Sequence, residues 1–338
     1  MELLDEALLR MEPMGPEFRG GLSNHGPMVA EALVRLGAED AVPGWVTGYL
    51  PKLEAAPGGR GRVSDWRAAL GDMRRLGDWT RLFEERLAEE PWRRVLAEWW
   101  PRLTPGLAAG ATHGVIRTAQ AVRSLADRHS ATRLTELAHA LGYWAAGYAE
   151  LPGRPVTEGV RTLEQAVAVL PVLRLAPTQL IVRHLGHLRD LPEFAPAVSA
   201  LRPPTDVPAD LVELSQVFAR VFLTHGRHQP IDFVHAVTAP IAVSSVLGEL
   251  PKELWRPTYD ALWQVAAALY SGFAYNGTVE RVPEGEPWTR AELTGQAVET
   301  GDDHAIKMTE AGLRQHDLTG DPIFLHAAAR AIEVIGRA

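Results

Sequence analysis

A chain of 338 residues, 46% hydrophobic and 22% charged, has ample material for a core and no apolar run long enough to cross a membrane. A formal charge of −8, with no block of basic residues, is the wrong electrostatic footprint for a nucleic-acid binder. The chain has no cysteine, which removes disulfides and thiolate metal sites together.

The first residues, MELLDEALLR, are acidic and amphipathic, without the cationic start and apolar centre of a signal peptide. A cytoplasmic protein is expected. Apolar residues recur at spacings of three and four in 78–103, 107–127, 131–149, 209–223, 251–273 and 321–335, which predicts helices there. Strand-like alternation is scarce, and TVERV at 278–282 is its best example. Breaks fall at PKLEAAPGGRGR (51–62), LPGRPV (151–156), LRPPTDVP (201–208) and VPEGEP (282–287). None is long or polar enough to be a disordered linker. The expected fold is all-α, a single large multi-helical domain over 1–338. Neither G-x-G-x-x-G nor G-x-x-x-x-G-K-[ST] occurs, so a Rossmann or P-loop nucleotide site is not expected, and there is no G-x-S-x-G or H-E-x-x-H.

Histidine is the commonest metal ligand, and twelve are present. In GLSNHGPMVAEAL, Pro27 suits a first helical position, which makes Gly26 the cap and leaves His25 just outside. The positive helix end favours neutral imidazole there; the plainer reading is a tight turn. In GATHGVIRTAQAVRSL, His113 has small neighbours. Arg117 and Gln120 extend a polar stripe along an apolar helix, either lining a cavity or forming a solvent face with Arg117 on a carboxylate. His129 and His139 read as solvated or half-buried, and the pair His184/His187 as a solvated face. His225/His228 ends a helix before Pro230. In IDFVHAVTAPIAV, His235 sits in nearly continuous apolar sequence, with Asp232 a plausible cap and Thr238 one turn on. In GDDHAIKMTEAG, His304 and Lys307 share a helix face. His316 precedes Asp317, a dipeptide seen in metal phosphohydrolases, and His326 reads as a core residue.

Four blocks, LSNHGPMVAEALVRLG, THGVIRTAQAVRSL, FVHAVTAP and DDHAIKMTEAG, resemble in order those of the questin oxidase-like family, from about residue 20 to about residue 315. The resemblance implies a helical oxidoreductase that uses O2 to cleave or oxidise an aromatic polyketide of the anthraquinone type. That family has been described both as NADPH-dependent and Baeyer–Villiger-like and as non-haem iron-dependent. His25, His113, His235 and His304 each fall in one block, so one shared metal is expected. A neutral buried Lys307 can add carbon dioxide to give a carbamate, an anionic oxygen ligand. Four nitrogens and one oxygen leave one octahedral position open for dioxygen or substrate and favour Fe(II) over zinc. Otherwise Lys307 pairs with Asp303 or Glu310 on the helix surface. Arg117 is the candidate for neutralising oxyanion charge, with Thr238 or Asn24 ordering the ligands. Trp144, Trp263, Tyr270 and Phe273 are candidate cavity walls. The alternatives are an NADPH-using oxidase without metal and a non-catalytic helical ligand-binding module.

Overall fold

The computed structural model describes residues 2–176, 180–276 and 279–336. Among these the chain forms seventeen α-helices and one two-stranded ribbon, the all-α class expected from its periodicity. Its contacts fall into two compact units, one of Met1–Glu150 and Ser245–Leu254, the other of Leu151–Ser244 and Trp255–Ala338. No described helix is long and apolar enough to cross a membrane.

The first unit opens with α1 (Leu3–Met11) and an antiparallel ribbon, β1 (Glu17–Phe18) and β2 (Leu22–Ser23). Then come α2 (Gly26–Arg35), α3 (Val42–Tyr49), the short α4 (Trp66–Ala69) and α5 (Leu76–Glu89). The helical stretch 78–103 is split after α5, because Pro91 pushes Glu90 to extended backbone (φ −131°, ψ 150°). It resumes as α6 (Trp92–Leu103), followed by α7 (His113–Asp127) and α8 (Ala131–Ala146). α8 packs on both α5 and α7. Two glycines permit this close approach: a Cβ on Gly142 of α8 would lie 3.0–3.2 Å from Thr80 of α5, and one on Gly114 of α7 would lie 3.0 Å from Trp144 of α8. Trp79, Phe83 and Trp99 fill the space beside them, edge to face or stacked at 5.0–6.0 Å.

The second unit runs through α9 (Leu163–Ala168), α10 (Ile181–Leu185), α11 (Phe194–Ser199) and α12 (Val207–His225). It continues with α13 (Pro230–Ser244), α14 (Trp255–Phe273), α15 (Arg290–Thr300), α16 (Asp303–Thr319) and α17 (Ile323–Val334). α13 packs against α12, α14, α16 and α17, and every residue from Asp232 to Val243 is buried. A helix apolar all round belongs at the centre of its unit. TVERV is not a strand: Thr278 lies outside the described residues, and 279–282 are irregular. Glu280 there donates its backbone N–H to the Thr224 carbonyl, and its carboxylate is shared by Arg227 (2.8 Å) and Arg330 (2.5 Å).

Candidate metal centre

In the first unit the ribbon delivers Asn24 and His25 to the start of α2. Asn24 Nδ2 donates to the Gly15 carbonyl and its Oδ1 accepts from Gly26 N–H, both at 2.9 Å, so Asn24 holds the loop rather than a ligand. The helix begins one residue earlier than Pro27 suggested, which makes His25 itself the cap. The His25 N–H donates to the Tyr49 hydroxyl of α3 at 2.9 Å.

His113 opens α7 after a turn the sequence did not announce. Gly110, Ala111 and Thr112 have φ of 53°, 55° and 73°, three successive left-handed residues of which only the first is glycine. This is why the helical pattern from 107 becomes helix only at His113. The turn puts the Gly110 carbonyl where it accepts from both the His113 backbone N–H (3.1 Å) and Nδ1 (2.5 Å). With Nδ1 protonated, Nε2 carries the ring's lone pair. The imidazoles of His25 and His113 stack at 4.4 Å, 23° from parallel.

The polar stripe of α7 is real, but it is not a solvent face. Arg117, Gln120 and Arg123 are all buried. Arg117 is clamped by Glu136 of α8 in two bonds of 2.6 and 2.8 Å, and Arg123 Nε donates to Glu31 of α2 at 2.8 Å. The charge of Arg117, the candidate neutraliser of oxyanion charge, is thus matched by a bidentate carboxylate. Arg117 also reaches the wall of a cleft of about 410 Å³ in this unit, lined further by Met14, Pro16, Thr80, Arg81 and His139.

In the second unit α13 starts at Pro230, so Asp232 stands in its first turn rather than capping it. The Asp232 carboxyl is buried, and that burial raises its pKa from 3.8 to about 7. His235 is 1% exposed, and its Nδ1 donates to the Ile231 carbonyl one turn back at 2.7 Å. The Thr238 hydroxyl donates to the Val234 carbonyl at 2.9 Å, leaving its oxygen able to accept. On α16, Asp302 caps the helix by accepting from the His304 and Ala305 N–H groups at 2.9 Å. Asp303 accepts a hydrogen bond from His304 Nδ1 at 2.7 Å. The two acids beside His304 thus have structural employment as cap and ring holder, although their oxygens lie close enough to join a metal site. The rings of His235 and His304 meet edge to face at 5.4 Å.

Lys307 is not a surface ion pair. It is 6% exposed, and among the described residues it forms no ion pair within 4.0 Å. Glu310 is bonded instead to Arg314 at 3.0 Å. Burial brings the Lys307 pKa from 10.5 down to about 8, against the opposing pull of Asp303 and Asp302.

The remaining histidines have other work. His184 is fully buried, contrary to the solvated face expected of it, and its Nε2 bonds the Gly272 carbonyl at 2.8 Å. His187 is exposed beside Asp190. His225 Nδ1 bonds the Thr224 hydroxyl at 2.8 Å, and burial lowers its pKa. Asp317 pairs outward with Arg290, and His316 bonds the Asp321 carbonyl. Trp144 and Trp263 are core residues, donating their indole N–H groups to the carbonyls of Gly106 (3.3 Å) and Val198 (2.8 Å). The groups that orient the imidazoles of His113, His235 and His304 (the Gly110 carbonyl, the Ile231 carbonyl and Asp303) were not singled out from sequence in that role. Only Asp303, adjacent to His304, carried a usable signal. No family model and no curated protein matches the chain.

Proposed function

We propose that His25, His113, His235, His304 and Lys307 hold one Fe(II) ion in an oxidoreductase that uses O2 to oxidise or cleave an aromatic, anthraquinone-type substrate. The observation that carries this reading is shared by three of the imidazoles. His113, His235 and His304 each direct Nδ1, as a hydrogen-bond donor, at a nearby oxygen, of Gly110, Ile231 and Asp303 respectively. That bond is the usual support of a metal-ligating histidine, because it fixes the tautomer and turns Nε2 outward as a lone pair. The likeness of the four sequence blocks to the questin oxidase-like family supplies the substrate class and the choice of iron. When bound, iron supplies the electron transfer that makes O2 reactive.

Lys307 fits the same donor set. An amine brought down to about 8 by burial is neutral in a usable fraction at physiological pH. Its nitrogen attacks carbon dioxide, one proton leaves, and the product is an anionic carbamate. Buried among few counter-charges, that anion gains most from a neighbouring cation.

Iron content and O2 uptake with a panel of anthraquinones and anthrols, with and without NADPH, test the proposal. The protein is purified without a nickel column and assayed with bicarbonate present. One iron per chain is expected, most of it lost in each His→Ala variant while the helical content stays. Lys307→Ala and Lys307→Arg lose iron alike, since guanidinium forms no carbamate and stays charged. Lys307→Glu recovers part of it. Full iron content in three of the four histidine variants refutes the shared site. Normal iron and turnover in Lys307→Arg refute the carbamate.

A further inference from the structure

Three buried threonines in this fold spend their hydroxyl on a helix carbonyl. Thr104, Thr118 and Thr238 donate to Trp100, Gly114 and Val234 at 2.7–2.9 Å. Thr112 does not. It is 0% exposed, and among the described residues no group lies within hydrogen-bond reach of its Oγ1. It occupies the cap position of α7, where a threonine oxygen ordinarily accepts from the first-turn N–H groups, yet it makes no such bond. The backbone explains why: a cap side chain works from extended geometry, whereas Thr112 is left-handed at φ 73°, ψ −4°. A β-branched residue is poorly suited to that region, and glycine or asparagine would hold the same turn at lower cost. Thr309 also has a buried hydroxyl without a partner, but it stands inside regular α16, with no left-handed backbone. Among the described residues only Thr112 combines a strained backbone, full burial and an unspent donor, and it is the residue immediately before His113.

We infer that Thr112 is a substrate-binding residue whose hydroxyl donates a hydrogen bond to an anionic oxygen, such as an ionised phenol, bound at the start of α7. Strain and an unsatisfied buried donor at one residue are together unfavourable for folding, and they persist where the ligand-bound state uses them. The inference rests on the metal-centre reading. It adds to that reading a recognition group for the phenolic oxygen.

Thr112→Val keeps the β-branch and removes the hydroxyl, Thr112→Ser keeps the hydroxyl, and Thr112→Ala removes both features. Each iron-loaded protein is titrated with 4-nitrocatechol, a coloured phenol, and the thermal midpoint of each metal-free form is measured. Thr112→Val and Thr112→Ala are expected to bind the phenol about five- to tenfold more weakly at unchanged iron content, with Thr112→Ser near wild type. Metal-free Thr112→Val is expected to melt higher by about 1–4 °C, because a buried donor without a partner is replaced by methyl. A purely structural threonine gives the opposite pattern, a lower midpoint and unchanged phenol affinity. Equal 4-nitrocatechol affinity in wild type, Thr112→Val and Thr112→Ala overturns the inference and leaves the metal assignment intact. A wild-type protein that takes up no iron overturns both.

Discussion

Asp232→Asn should stabilise the protein, and the gain should grow with pH. The carboxyl of Asp232 is 9% exposed in the first turn of α13. Among the described residues it has no cation within 4.0 Å, and the bond from its own N–H only partly offsets its burial. Its pKa rises from 3.8 to about 7, which makes the ionised form unfavourable in the folded state. Over that interval the unfolded chain gives up the proton first, so the unfolded state is favoured progressively as pH rises from about 4 to about 7. A shift of about three units corresponds to ~4 kcal/mol of lost stability above pH 7, and to ~2 kcal/mol at pH 5. Asparagine has nearly the same shape and no charge to lose. Urea denaturation of metal-free wild type and variant at pH 5, 6, 7 and 8 reads the difference directly, because every other titrating group cancels between the two proteins. The variant should lead by ~2 kcal/mol at pH 5 and by ~4 kcal/mol at pH 8. A difference that stays flat across this range, or a variant less stable at pH 8, refutes the argument and means that the carboxylate has a favourable partner in the folded protein.

Two further outcomes follow from the packing. Glu136→Gln leaves the Arg117 guanidinium buried without its counter-charge and should cost ~3–5 kcal/mol in urea denaturation, whereas the double variant Arg117→Met/Glu136→Met should recover most of that loss; equal stability of Glu136→Gln and wild type would show that Arg117 has another acceptor. In the second unit, a Cβ on Gly312 of α16 would meet the Phe324 carbonyl of α17 at 2.8 Å, while one on Gly295 of α15 meets nothing within 4 Å. Gly312→Ala should therefore lose ~1–3 kcal/mol, and Gly295→Ala should gain up to ~1 kcal/mol from helix propensity alone, both measured by thermal denaturation; the reverse order would contradict the α16–α17 contact.

The features legible in the amino-acid order are local and periodic. The spacing of apolar residues sets the helices, and so the all-α class, because an α-helix repeats every 3.6 residues whatever lies beyond it. The same periodicity shows that Arg117 and Gln120 share one face of α7, and that His304 and Lys307 stand one turn apart on α16. Tertiary structure decided which partners these side chains meet. Arg117 finds Glu136 across nineteen residues of chain, and Arg123 finds Glu31 across ninety-two. No spacing rule distinguishes such a buried clamp from a solvated stripe, since both satisfy helical geometry equally well. The burial of His184 within charged local sequence is equally non-local, because it depends on Gly272 and Phe273 of α14 coming up against it. The left-handed turn before His113 was hidden for a different reason. Ala111 and Thr112 have no intrinsic preference for that backbone, and they adopt it only because the surrounding fold outweighs their local energy.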